Sequence, residues 1–254
     1  MAELADSLAR VDFLFFGEQH DDAEAHRVQV ALLEELARRE RPVIVGMEMF
    51  ERDVQPALDA YLAGRSTEAQ LAASTRPWPN YPTDYRPLVE IARAEGWPVL
   101  ATNAPRQYAS AVSAAGIGAL SIVDPANRGL LAAEVDCPRD EYYRRFVEAL
   151  EGHPTGDTPA DARRDATLLR YYEAQCLKDE TMAESLARAS REGVLLVHFN
   201  GAFHTDRSLG IVPRLKRRVP GARIAVLSAI PVRDPRRITA EERVADYVIL
   251  TRQK

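Results

Sequence analysis

The sequence predicts an α/β protein with an open, mainly parallel central sheet flanked by helices, and three observations predict it. Short apolar runs recur along the chain, a longer amphipathic stretch follows most of them, and several runs are apolar on both faces, as doubly covered strands must be. The first strand is Val11–Phe16. An aspartate at 21 or 22 then caps a helix whose inward stripe is Val28, Leu32, Leu33 and Leu36. Pro42–Met47 is the second strand and Val54–Leu62 the next helix. Arg76–Pro87 carries four prolines beside Trp78, Tyr81 and Tyr85, which predicts a stiff aromatic loop. A helix over Tyr85–Glu95, a strand over Pro98–Asn103, a helix over Arg106–Ala115 and a strand over Ala119–Val123 follow. Helix Asp140–Leu150 and a Pro/Gly turn at Gly152–Pro159 lead into the longest helix, Ala160–Arg191, with Leu168, Leu169, Tyr172, Cys176 and Met182 inward. Strand Val194–Phe199, helix Pro213–Arg218 and strands Arg223–Ser228 and Tyr247–Leu250 complete the chain. Seven strands are one short of a closed (β/α) barrel, which makes the open sheet the first choice and the barrel the alternative.

At 254 residues and 46% hydrophobic content the chain can bury one substantial core, and a single domain over 1–254 is expected. The 33 Lys and Arg are interspersed with 38 Asp and Glu, and the net charge of -5 gives no field to gather nucleic acid or anionic lipid. The first apolar run follows a mixture of acidic and basic residues rather than a basic leader region and is too short to span a bilayer, so a cytoplasmic protein without a membrane span is expected. Cys137 and Cys176 lie in no metal or redox spacing and are expected as free thiols in a reducing compartment.

Ligands of open α/β sheets bind beyond the carboxyl ends of the strands. Here those ends read Gly17-Glu18-Gln19-His20, Glu48-Met49-Phe50, Asn103-Ala104-Pro105-Arg106 and Asn200-Gly201-Ala202-Phe203-His204, all polar. A lone histidine after a strand is usually a capping residue. Two in the same Gly-x-x-His pattern, with Glu48 and Asn103 on neighbouring ends, point to a site. The glycines are expected to let the chain turn off the strand, so that each histidine folds back over the rim. His20, Glu48 and His204 form a two-imidazole, one-carboxylate set of the kind that holds Mn, Co or Zn. Glu18 is the candidate general base or a partner orienting a ligand histidine. Asn103, Arg106, Gln175 and Asn200 are candidate substrate contacts; Gln175 and Asp179 share one face of the long helix. His26 and His153 are expected at the surface and His198 in the core.

At these residues the sequence resembles the haem-binding ChaN family of the TIKI and erythromycin-esterase-like superfamily. The resemblance also takes in Gln55-Pro56, Ala174-Gln175 with Asp179, Met182-Ala183, Gly210 and Pro213, in family order over most of the chain. It implies an α/β fold and two competing activities. TIKI relatives are metal-dependent proteases with paired Gly-x-x-His motifs, and erythromycin esterases hydrolyse a lactone. His20, Glu48 and His204, with Glu18 beside them, carry over from those motifs. ChaN proteins bind haem through tyrosine in a dimer, which implies a homodimer, although none of the nine tyrosines stands out as the ligand. The chain departs from the family in having no lipid-attachment cysteine and in placing Phe203 where a smaller residue is expected. Cys137-Pro138 resembles a haem-responsive dipeptide, with a turn as its ordinary meaning. The expected function is therefore a metal-dependent hydrolase of an ester or amide bond in a small molecule or peptide, with a non-catalytic haem-binding protein as the alternative.

Overall fold

In the computed structural model, residues 2–8, 10–151, 161–234 and 244–252 are described. Helix α1 (Ala2–Leu8) precedes β1 (Phe13–Glu18), α2 (Ala23–Ala37), β2 (Val43–Glu51), α3 (Gln55–Leu62), α4 (Glu68–Thr75), α5 (Arg86–Ala94) and β3 (Val99–Asn103). There follow α6 (Arg106–Ala115), α7 (Glu141–Glu151), α8 (Asp161–Ala189), β4 (Leu195–Gly201), α9 (Ile211–Arg218), β5 (Ile224–Val232) and β6 (Tyr247–Arg252). The six strands form one sheet in the order β3-β2-β4-β1-β5-β6, and every pairing is parallel.

Parallel strands need both faces covered, and β1 shows how the sequence meets that demand. All its residues are buried. Leu14 and Phe16 join the core under α2, α3 and α5, whereas Phe13 and Phe15 join the core under α8 and α9. The strand order places β4 between β2 and β1. Residues following these three central strands thus meet at one rim, close to where the chain reverses its direction of travel across the sheet. Between Met47 and Glu51 the register of β2 against β3 shifts, and this irregularity re-aims Glu48 toward β4.

The structure corrects several expectations. Ala119–Val123 is not a strand, because residues 117–122 form a 3₁₀ turn. Its apolar residues Ile117, Leu120 and Val123 recur every third position, which suits one packed side of a 3₁₀ turn rather than the alternation of a strand. Helices α1 and α4 add to the expected set, and the Thr67/Gln70 capping box that starts α4 was legible in the sequence. Cys137 and Cys176 are joined in a disulfide with Cα atoms 5.6 Å apart, so the free-thiol expectation and the reducing compartment drawn from it do not stand. His26 is buried beneath the first motif instead of lying at the surface, while His198 is in the core as expected. His153 and the Gly152–Pro159 turn lie outside the described residues. No helix among the described residues is long and apolar enough to cross a membrane.

Gly46 of β2 shows how tightly the layers pack. A Cβ there would lie 2.8 Å from the His198 ring and 3.0 Å from Leu186. Gly46→Ala should lower stability in urea unfolding by about 1–3 kcal/mol through overpacking, whereas Gly118→Ala, with nothing within 4 Å of the new methyl, should leave the midpoint unchanged.

Candidate functional site

The two Gly-x-x-His segments lie side by side because β1 and β4 pair in parallel with Gly17 opposite Asn200 and Glu18 opposite Gly201. Neither glycine has a positive φ, so they are not there to reverse the chain. Each instead makes room for the other motif. A Cβ on Gly17 would fall 2.9 Å from the Ala202 Cα, and one on Gly201 would fall 2.9 Å from Cε1 and Nε2 of His20.

His20 is half-exposed, and its Nδ1 lies 3.0 Å from Glu18 Oε1. Glu18 is buried at the end of β1, where it also accepts a 2.6 Å hydrogen bond from the Tyr85 hydroxyl and one from Gln29 Nε2. His26 Nδ1 stands 3.4 Å from its second oxygen. So enclosed, Glu18 does not face water, and the expectation that it acts directly as a general base gives way to a role holding His20. Burial opposes charging of His20, but the Glu18 hydrogen bond and the Glu48 charge prevail and raise its pKa. Trp78 meets the ring edge-on at 4.8 Å, and Asn80 donates to the His20 carbonyl.

His204 is held differently. It is buried, with Nδ1 2.5 Å from Asp179 Oδ1 of α8 and Nε2 3.2 Å from Glu48 Oε1 of β2. Burial alone would depress its pKa, yet the two carboxylates outweigh this and lift it to about 10. Glu48, whose burial would raise its own pKa, ends well below the usual carboxylate range because of the His204 charge and the 2.8 Å bond from the Gly201 amide. His204 is thus an imidazolium fixed between two anions. His198 lies deeper in the core, its pKa lowered by burial to about 4 despite its bond with Asn200.

This arrangement brings His20, Glu48 and His204 to one rim but does not suit them to a metal. Both ring nitrogens of His204 are engaged by carboxylates, and among the described residues no three His, Cys, Asp or Glu side chains are arranged to hold one ion. The expected Mn, Co or Zn site is therefore not supported.

Of the expected substrate contacts, Asn200 turns inward. It is fully buried and braces the loop by donating to Thr205 Oγ1 and the Gly201 carbonyl. Asn103 donates to the Glu48 carbonyl, and Gln175 lies between His204 Nδ1 and the Tyr142 hydroxyl, 3.2 Å from each. Arg106 bonds Glu51 at 2.6 Å with its guanidinium still largely exposed. Asn103, Arg106 and Gln175 all line an open groove of about 520 Å³ beside the rim, with Trp78 on one wall and Phe146, Leu150, Tyr171 and Lys178 on the other. Tyr171 is 41% exposed. Tyr171, Lys178 and Phe146 carry no signal in the sequence, because they sit on helices far from any strand end. Nor does the sequence mark Tyr85 and Gln29 as partners of Glu18, and only the spacing of Gln175 and Asp179 signals that α8 reaches the site.

His204 should stay charged and His198 neutral over the middle pH range. Carbon-detected NMR of labelled histidine should show no titration of His204 between about pH 6 and 9, and none of His198 above about pH 5. Because the folded pKa of His204 is raised, its contribution to stability is complete below about 6.5 and is lost as the pH rises through about 10.

The structure of "Cofacial heme binding to ChaN of Campylobacter jejuni" superposes with a TM-score of 0.70, at 20% identity, covering 97% of this chain and 89% of that one. An erythromycin esterase in its open conformation aligns at a TM-score of 0.49 and 12% identity over 89% of this chain and 72% of that one, too distant to bear on chemistry. Protein RETICULATA-RELATED 5, chloroplastic, of Arabidopsis thaliana is 24% identical over 94% of this chain, which spans only 34% of that protein. A family model described as "Haem-binding uptake, Tiki superfamily, ChaN" matches residues 4–215, most of the chain, and the protein belongs to that family.

Proposed function

We propose that this protein binds haem in the groove beside the histidine rim. The observation that carries this reading is the make-up of the groove. Trp78, Phe146 and Leu150 offer an apolar surface for a flat macrocycle, Arg106 and Lys178 offer cations for its propionates, and Tyr171 offers a half-exposed phenol. These residue types fit haem, and Tyr171 would be the residue to hold its iron. Bound haem would supply iron for transport or redox chemistry. The residues of this chain would hold the macrocycle, pair its carboxylates and shield one face from water. The family description and the haem named for the Campylobacter jejuni protein support the reading.

Haem titration followed in the Soret region should saturate in the micromolar range or weaker. Tyr171→Phe should change the band position, while Arg106→Ala with Lys178→Ala should weaken binding by about tenfold, as loss of two partly exposed charge pairs implies. An unshifted Soret band in folded protein would remove this reading.

A second reading, hydrolysis of an ester or amide, is favoured by the Glu18–His20 pair. Glu18 fixes the Nδ1 side of the imidazole, which leaves Nε2 to take a proton from water. On this reading turnover of small esters, lactones or peptides is independent of added Mn, Co or Zn. His20→Ala should lower it by about 10²-fold or more and Glu18→Gln by a smaller factor. Turnover that appears only with an added metal, or that survives His20→Ala, would contradict it.

A further inference from the structure

The segment from Leu131 to Asp140 runs back along α8 as a strap, and its two halves are held by different means. Near its start, the Ala132 amide donates to Thr181 Oγ1 at 3.2 Å and the Ala133 amide to Glu184 at 2.9 Å. Arg52 reinforces this half by bonding the Leu131 carbonyl as well as Glu184. The far half is tied down at Cys137 by the disulfide to Cys176 and at Pro138 by the Tyr172 hydroxyl, 2.8 Å from its carbonyl. Immediately beyond, Asp140 caps α7, which carries Phe146 and Leu150 into the groove wall.

Helix α7 rests on a small cluster of its own. Tyr142, Tyr172, Cys176 and their neighbours Tyr143, Phe146 and Phe203 pack together apart from the two cores that cover the sheet. Tyr142 meets Gln175, the residue beside Cys176 that also lies against His204. The disulfide therefore sits where the groove wall is joined to α8, and among the described residues the chain between its two cysteines holds only α7 and the first half of α8.

We propose that the Cys137–Cys176 disulfide is a redox latch that sets the groove's α7 wall. Cys137 is partly exposed and Cys176 is fully buried, so an external dithiol reaches only the Cys137 sulfur. Its thiolate attacks Cys137 Sγ, the bond between the two sulfurs breaks, and Cys176 departs and takes up a proton. The second thiol of the reductant then displaces Cys137, so the protein gains two thiols and the dithiol becomes a disulfide. The near half of the strap keeps its bonds to α8. The far half and α7 lose their one covalent tie to α8 and keep the Asp136 bonds to Glu180 and Arg214, the Pro138–Tyr172 and Tyr142–Gln175 bonds and the aromatic cluster, and the wall loosens. The effect on haem rests on the groove reading above, but the loosening of α7 does not.

Hydrogen exchange of the full-length protein, with and without dithiothreitol, separates these points. Reduction should speed exchange of the α7 amides by about tenfold or more while the sheet strands keep their protection, and a Cys137→Ser/Cys176→Ser variant should match the reduced protein without reductant. Haem affinity should fall by about tenfold in the same reduced sample, as expected when a binding wall must be ordered on binding. Unchanged α7 protection after confirmed reduction, or equal loss of protection throughout the chain, would overturn the latch. Equal haem affinity in both redox states would overturn its control of the groove. Failure of haem to bind in either state while α7 loosens counts against the haem reading and leaves the latch supported.

Discussion

The rim depends on one steric constraint, the closeness with which the loops after β1 and β4 pass each other. The absence of a side chain at Gly201 lets the His20 ring settle over the β4 loop, and its absence at Gly17 lets the Ala202 backbone approach β1. Parallel pairing fixes the height at which the strands end, so two copies of one short motif arrive at the same level. A methyl group at either glycine would push the loops apart. Glu48 would then lose the Gly201 amide that helps hold it against His204.

Given that approach, burial and charge decide what each histidine becomes. His20 has one carboxylate behind it and an open side, so it faces the rim as a group able to exchange a proton. His204 has a carboxylate on each nitrogen and little exposure, so it is a fixed cation. Burying Glu48 and Asp179 without that cation would be costly, since unpaired buried charges are strongly unfavourable. The same pairing that stabilises them occupies the nitrogens a metal would need. The two histidine motifs look alike in sequence, and it is α8, bringing Asp179 and Gln175 from a distant segment, that makes them unlike in chemistry.

Much of this was legible in the sequence because the strongest signals are local. Alternation of apolar runs with amphipathic stretches marks all six strands, the Asp22 cap marks the start of α2, and the polar strand ends mark the rim. What stayed hidden depends on contacts between remote segments. The His26 side chain is polar and looks like surface, yet it is buried because Glu18 lies beneath α2 and offers it a partner. Cys137 and Cys176 are 39 residues apart and meet only because the strap doubles back along α8. Tyr171 reads as one more tyrosine on a long helix until α7 and the Trp78 loop form the groove around it.

Groove and rim share a border at Trp78 and Gln175, which touch both, so a ligand in the groove would lie beside His20. On the proposed reading the groove, and not the histidine pair, receives the haem iron. The most direct measurement is anomalous diffraction at the iron edge from crystals of the haem-loaded protein. The expectation is an iron peak in the groove within bonding distance of the Tyr171 oxygen, with His204 still paired to Glu48 and Asp179. An iron peak bonded to His20 or His204, or one lying outside the groove, would contradict it.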